Sequence, residues 1–224
     1  MKHYQLNFTH DKRVRGRYND PHTIDIVSKE YIKYMTEKNG DMFLHLDNQE
    51  TLYEEMPDNI EGKLYKRNNV IDYMDVRPYY IGQVAVVSNK IKQIFERLNV
   101  SKNEYALKKI SIKGFEDEFY IFFIPKINDT EFVYPKCIFA KRYDNAEGIT
   151  TIFNSFEEYN NRTDYYKSKK VTLKSNYKDY DILFPRTIVC PYFSERIINA
   201  FQQENVVGYE IVKGGMYYTE LDFD

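Results

Sequence analysis

Asp72 and Asp75 stand three residues apart, the spacing at which a helix would place two carboxylates on one face as general acid and base. No cleft is marked around them in the sequence, so a solvated helix face competes with that chemistry. The four histidines, His3, His10, His22 and His45, are scattered, and none forms His-x-x-x-His or stands at ligand spacing from a carboxylate. His3 and His45 fall on strand-like stretches and would have to converge in space to hold a metal. Cys137 and Cys190 lack metal-ligand spacing and cannot make a disulfide framework; their apolar neighbours suit two buried thiols. The chain has no Gly-x-Ser-x-Gly elbow, no phosphate-cradling glycine loop and no Cys-x-x-Cys. Ser88 and Ser194 read as helix caps rather than nucleophiles. No catalytic, cofactor-binding or metal-binding residue is assigned on these grounds.

Binding signals are stronger than catalytic ones. The run Lys12-Arg13-Val14-Arg15-Gly16-Arg17 beside Tyr18 is the best nucleic-acid candidate. The formal net charge of −2 gives the whole chain no attraction to nucleic acid or to an anionic membrane. Acidic clusters occur at Glu54-Glu55, Glu116–Glu118 and Glu157-Glu158, and paired tyrosines at Tyr79-Tyr80, Tyr165-Tyr166 and Tyr217-Tyr218. The chain holds 22 Tyr and 15 Phe but no Trp, a mixture that suits recognition surfaces and equally an AT-rich codon bias. Residues 141–170 are the most hydrophilic stretch and read as a loop. They hold Glu157, Glu158, Tyr165 and Tyr166, the expected partner-binding residues.

The elements that must position these residues centre on 84–124. Val84-Ala85-Val86-Val87 reads as a strand, and Ser88 as an N-cap whose hydroxyl accepts from a first-turn amide. Ile91, Ile94, Phe95 and Leu98 then follow at i, i+3, i+4 and i+7, one buried helical face. Phe119-Tyr120-Ile121-Phe122-Phe123-Ile124 is apolar on both alternating sets, which suits a strand covered on both faces. Elsewhere the patterns predict a strand over 1–8, a helix after Ser28 stopping at Asn39-Gly40, a strand over 42–46 and a short helix over 49–56. Short strands at 182–184 and 188–190, a helix from Ser194 to about Glu204, and a Gly214-Gly215 hairpin close the chain. At an offset of 106 the central unit is echoed: Ser88 meets Ser194, Phe95 meets Phe201, Asn99 meets Asn205 and Val100 meets Val206.

These patterns predict an α+β protein: a mixed or antiparallel sheet with packed helices, one domain over 1–224. Two related strand-helix-strand lobes, about 1–140 and 171–224 with 141–170 between them, fit the echo. No apolar run approaches the roughly 20 residues of a membrane helix. The N-terminal stretch lacks the apolar core of a signal peptide, so a cytoplasmic location is expected.

The order of features resembles a bacterial family of polymorphic-toxin immunity proteins that otherwise carries an unknown-function label. Met1-Lys2-His3-Tyr4-Gln5-Leu6 matches its first strand, and Val86-Val87-Ser88 through Phe119-Tyr120-Ile121-Phe122-Phe123 its central unit. Asp181-Ile182-Leu183-Phe184, Phe193-Ser194-Glu195-Arg196-Ile197 and Val206-Val207-Gly208-Tyr209-Glu210-Ile211 match its last strand, helix start and strand. The chain departs from the pattern at Cys190-Pro191-Tyr192, and 9–80 align with nothing in it. The resemblance implies a non-catalytic cytoplasmic protein that binds and neutralises a cognate toxin by occluding it, with no cofactor. The alternatives are an uncharacterised enzyme with a non-obvious carboxylate/Tyr site and a nucleic-acid-binding accessory protein.

Overall fold

The computed structural model describes residues 1–15, 22–42, 53–65, 70–141 and 150–224. The chain opens with β1 (His3–Phe8) and a single turn of helix, α1 (Lys12–Arg15). Next come β2 (Thr23–Ile26), α2 (Lys29–Met42), β3 (Ile60–Tyr65), β4 (Tyr73–Arg77), β5 (Gln83–Ser88), α3 (Asn89–Arg97), β6 (Ala106–Ile112) and β7 (Phe119–Phe123). Strands β2 to β7 close into a barrel in the order β2-β3-β6-β7-β5-β4, with parallel pairs at β2·β4 and β3·β6. Every residue of β7 is buried, as its two apolar sets predict. Phe119, Ile121 and Phe123 join Ile24, Val76 and Ile110 in one cluster inside the barrel, while Tyr120 and Phe122 face outward beneath the helices. The interior is narrow. A Cβ on Gly62 of β3 would stand 2.7 Å from Ile24 Cγ2, so only glycine fits there. Tyr31 and Met35 of α2 pack on the same cluster, and the Tyr31 hydroxyl donates to Gln83 Oε1.

Two further sheets follow, built from β8 (Ile138–Lys141), β9 (Thr150–Thr151), α4 (Phe156–Asn160), β10 (Tyr166–Leu173), β11 (Ile182–Leu183), β12 (Tyr192–Ser194), α5 (Glu195–Gln203), β13 (Tyr209–Ile211) and β14 (Glu220–Phe223). One has the order β11-β12-β1-β13, the other β14-β10-β8-β9. Helices α3 and α5 lie side by side in the cluster that joins the barrel's outer wall to the first of these sheets. Phe95 and Phe201, both fully buried, stack there with ring centroids 6.2 Å apart. The chain is thus α+β, with mixed and antiparallel sheets.

Both echoed helices start after their serines, but the serines act differently from the expectation. Ser88 and Ser194 hold extended N-cap backbones and make no side-chain cap bond. Their hydroxyls donate instead to carboxylates, Ser88 to Asp72 Oδ1 at 2.7 Å and Ser194 to Asp181 Oδ1 at 2.6 Å. A charged acceptor makes a stronger bond than an amide's orphan hydrogen offers. At the other ends Asn99 and Asn205 share a φ of 51°, and Val100 and Val206 donate back to Phe95 and Phe201 at 3.0 and 2.9 Å. Asparagine tolerates that left-handed conformation better than most side chains.

Other expectations are corrected. Asp75 lies in β4 and Asp72 just before it, so an odd spacing sends the two carboxylates to opposite sides and they form no pair. The Gly214-Gly215 turn joins no hairpin: β13 pairs with β1, whereas β14 runs parallel to β10. Residues 188–190 form no strand. From Thr150 onward the hydrophilic segment is built into the fold through β9, α4 and β10, and it buries Phe153 and Tyr159. Helix α2 runs past the stop expected at Asn39-Gly40 to Met42, the residue expected to open a strand over 42–46; 43–46, His45 included, and the first half of the helix expected over 49–56 lie outside the described residues. Cys137 and Cys190 are both buried and unbridged, and burial pushes the Cys190 thiol up to about 11.

Candidate partner-binding groove

A groove of about 730 Å³ lies where the first and last strands of the described chain meet. Strand β1 and the end of β13 form one wall and 218–223 the other, with Asn199 and Gln202 of α5 above. Its floor is locked by side chains. Gln5 Oε1 accepts from the Thr219 amide at 3.1 Å, Gln5 Nε2 donates to the Cys190 carbonyl at 3.2 Å, and the Tyr192 hydroxyl donates to the Thr219 carbonyl at 2.5 Å. His3 sits in the wall. Its Nε2 donates to the Tyr180 carbonyl at 2.7 Å, its ring lies 5.4 Å from that of Phe223, and its buried Nδ1 has no partner among the described residues. Burial pushes the His3 imidazole below its ordinary value.

The groove has a charged rim and an apolar lip. Lys2 Nζ lies 4.8 Å above the Tyr4 ring, and Lys213 stands exposed nearby. On the far wall Lys170 sits between Glu220 and Asp222 at 3.4 and 2.9 Å. Past the Gly214-Gly215 turn, Met216, Tyr217 and Tyr218 are 74%, 49% and 39% exposed, the longest run of large apolar side chains that the described surface presents. Isolated exposed apolar residues are ordinary; three in a row beside a concavity mark an interaction surface.

The residues singled out from sequence divide differently. Glu158 is spent on its own helix: its carboxylate accepts from the Asn154 amide at 2.7 Å and from Asn154 Nδ2 at 3.0 Å, while Ser155 caps its amide. Glu157 is exposed on the same turn. Tyr165 is exposed, whereas Tyr166 is half-buried with its ring edge-on to Phe153 at 5.2 Å. Of the four, Glu157, Glu158 and Tyr165 are exposed, with the Glu158 carboxylate engaged by Asn154. In the basic run Arg13 pairs with Asp11 at 2.6 Å, and Gly16 to Tyr18 lie outside the described residues. Among the described residues no cluster of His, Cys, Asp and Glu could hold a metal, and no helix is long and apolar enough to cross a membrane.

One carboxylate stands out chemically. Asp75 is buried on the barrel's outer face, where its Oδ2 accepts from the Tyr79 hydroxyl at 2.8 Å and from the Thr23 hydroxyl at 3.3 Å. Burial holds its carboxyl above the ordinary range, against those donors and the nearby Arg77 charge, which pull it down. The groove itself was harder to foresee, because its two walls come from opposite ends of the chain; the Tyr217-Tyr218 pair was its one visible mark. No protein-family model matches this chain, and no curated protein matches it.

Proposed function

We propose that this protein is an inhibitor that works by binding another protein, and specifically an immunity protein that occludes a cognate bacterial toxin. The observation that carries the reading is the exposed run Met216-Tyr217-Tyr218, whose Tyr218 lines the groove. Aromatic and methionine side chains of this kind, ringed by charge, supply the buried anchors of protein interfaces. The resemblance of the strand and helix starts to immunity proteins points the same way. The test is co-expression with the toxin reading frame adjacent to the gene. The wild-type chain protects the cell and co-purifies with the toxin. Replacing Met216, Tyr217 and Tyr218 together by alanine abolishes both while leaving the melting temperature unchanged. Full protection by that variant would remove the groove lip as the binding face, and absence of any protection by wild type would remove the immunity reading.

A second reading, an enzyme with a carboxylate and tyrosine site, is favoured by the Asp75–Tyr79 contact. A buried carboxyl held above its ordinary range beside an exposed phenol is a recognised general-acid arrangement. Asp75→Asn that folds normally and still protects would count against it.

A further inference from the structure

A cavity distinct from the groove is lined by side chains that the partner-binding reading does not use. It measures about 370 Å³ and lies between the two copies of the strand-helix unit. The first copy supplies Asn103 and Glu104, beyond α3, and the turn leading into the second supplies Tyr177, Tyr180 and Ile182. That turn is held from several sides. The Tyr177 amide donates to the Lys174 carbonyl and the Tyr180 amide to that of Tyr177, each at 3.2 Å. The Tyr180 carbonyl accepts from His3, and the Asp181 and Ile182 amides both donate to Glu104 Oε2. The Tyr177 and Tyr180 rings, with centroids 5.2 Å apart and planes tilted by 59°, make a corner rather than a stack.

Glu104 is 7% exposed, yet only one of its oxygens is engaged. Oε1 has no hydrogen-bond partner among the described residues and is not sealed from solvent, so it opens into the cavity that Glu104 lines. A carboxylate oxygen held this deep without a donor is costly, and a ligand that brings one recovers the loss. Glu131 adds a second carboxylate to the lining, and its exposed ion pair with Lys174 at 3.2 Å is a weak competitor. Lys126 is the one basic residue in the lining, but its amine is turned elsewhere. Its Nζ lies 2.9 Å from the centre of the Phe184 ring and 3.2 Å from the Ile188 carbonyl, and neither residue borders the cavity. The space thus offers negative charge beside aromatic walls.

We propose that this cavity binds a methylated ammonium ion that keeps an N–H, the N–H donating to Glu104 Oε1 and the methyl groups lying in the Tyr177–Tyr180 corner. Aromatic rings attract an alkylated cation, which gives up less hydration on entering than a bare ion does. A divalent metal asks for a full shell of oxygens, and Mg²⁺ sheds its water reluctantly; two carboxylates beside two rings do not supply that shell. A quaternary ammonium would fill the corner and leave Oε1 still without a donor. Two sources present the required group, a free methylamine and the methylated lysine side chain of a bound polypeptide. The volume lies at the small end of the range for ligand sites and suits either. The site stands without the partner-binding reading.

The probe is trimethylammonium chloride, titrated into the full chain and followed at the amide resonances of Asp181 and Ile182. It binds saturably, about ten-fold tighter than tetramethylammonium chloride, which lacks the N–H. Uncharged tert-butanol, of similar size, does not bind. Glu104→Gln keeps an acceptor for both amides and weakens binding about ten-fold. Tyr180→Leu weakens it by about the same factor, whereas Tyr180→Phe, which keeps the ring and the packing, binds as wild type does. No saturable shift, equal binding of tert-butanol or of the quaternary ion, or undiminished binding by Glu104→Gln would each overturn the proposal. A short peptide with a central dimethyllysine separates the sources. Binding about ten-fold tighter than the free ion assigns the site to a polypeptide, and equal or weaker binding assigns it to a free amine. None of these measurements needs the toxin, so loss of protection and loss of ammonium binding are separate results.

Discussion

Asp72 and Asp181 hold the same post in the two copies, and each ties its own helix start to the segment leaving the other helix. Asp72 accepts from Ser88, takes Lys90 Nζ at 2.9 Å, and accepts from the amide of Val207, beyond α5, at 2.9 Å. Asp181 accepts from Ser194 and from Arg196 Nε at 2.6 Å. Its own amide and that of Ile182 donate at 2.8 and 2.9 Å to Glu104 Oε2, beyond α3. Arg196 Nη1 then reaches the Leu98 carbonyl at 2.8 Å, so the two copies are laced together in both directions.

The two aspartates are not equally costly to lose. The Asp181 side chain is 4% exposed, and Asp181→Ala leaves the Ser194 hydroxyl and the Arg196 guanidinium without their acceptor, at a cost of about 3 kcal/mol. The Asp72 carboxylate is less enclosed, its side chain 13% exposed, and water can replace part of what it accepts, so Asp72→Ala costs about 1 kcal/mol. Urea unfolding of both variants checks the order; equal losses would contradict it.

The stacked pair between the helices is the next weak point. Phe95→Ala and Phe201→Ala each cost about 3–5 kcal/mol, and the double variant loses less than the sum because the rings share one site. A double-mutant cycle in urea reads this directly. Strict additivity would mean that the rings do not communicate.

Gly208 is held at a φ of +116°, and a Cβ there would stand 2.2 Å from the Tyr73 carbonyl oxygen. Gly208→Ala must therefore push β4 aside and costs about 3 kcal/mol. Gly114, at +88° in open space, is the control, and Gly114→Ala costs about 1 kcal/mol of backbone strain alone. Thermal unfolding of the pair separates strain from collision.

Glu104 gives a pH dependence. Burial holds its carboxyl above the ordinary range, against the two amide donors, which pull it down. The folded chain then binds this proton more tightly than the unfolded chain. The group's stabilising contribution is complete below about pH 4.5 and is lost as pH rises through the folded value. Glu104→Gln keeps an acceptor for both amides and carries no charge, so across this window its stability stays level while that of wild type declines. Parallel pH profiles for the two proteins would show that Glu104 is not the group responsible.

Local pattern carried the helices well: the spacing of Ile91, Ile94 and Phe95, and the matching Phe201, fixes a buried face without reference to anything distant. The double burial of β7 was legible for the same reason. Barrel closure was not, because its parallel pairs join Ile24 to Val76 and Ile60 to Ile110, residues whose own sequences say nothing of each other. The acceptors of the serine hydroxyls were not legible because Asp72 and Asp181 lie 16 and 13 residues upstream, just before strands that only tertiary pairing brings alongside. The groove escaped notice for a related reason. His3 and Phe223 lie far apart in the chain, whereas the marks of 141–170, its polarity and its Glu157-Glu158 and Tyr165-Tyr166 pairs, are local.

The placement of β1 between β12 and β13 also sets an order of events during synthesis. All six barrel strands lie within Thr23–Phe123 and can close as soon as they leave the ribosome. Their predecessor cannot: the residues that flank it, Tyr192–Ser194 and Tyr209–Ile211, are made long after it. At ordinary translation speeds roughly 10–40 s separate Phe8 from Tyr209. For that interval a nascent chain trails Tyr4, Leu6 and Phe8 as an unpaired apolar strand, the kind of segment that chaperones bind and that misassembles when they do not. A ribosome stalled short of β13 would display a closed barrel with a bare first strand.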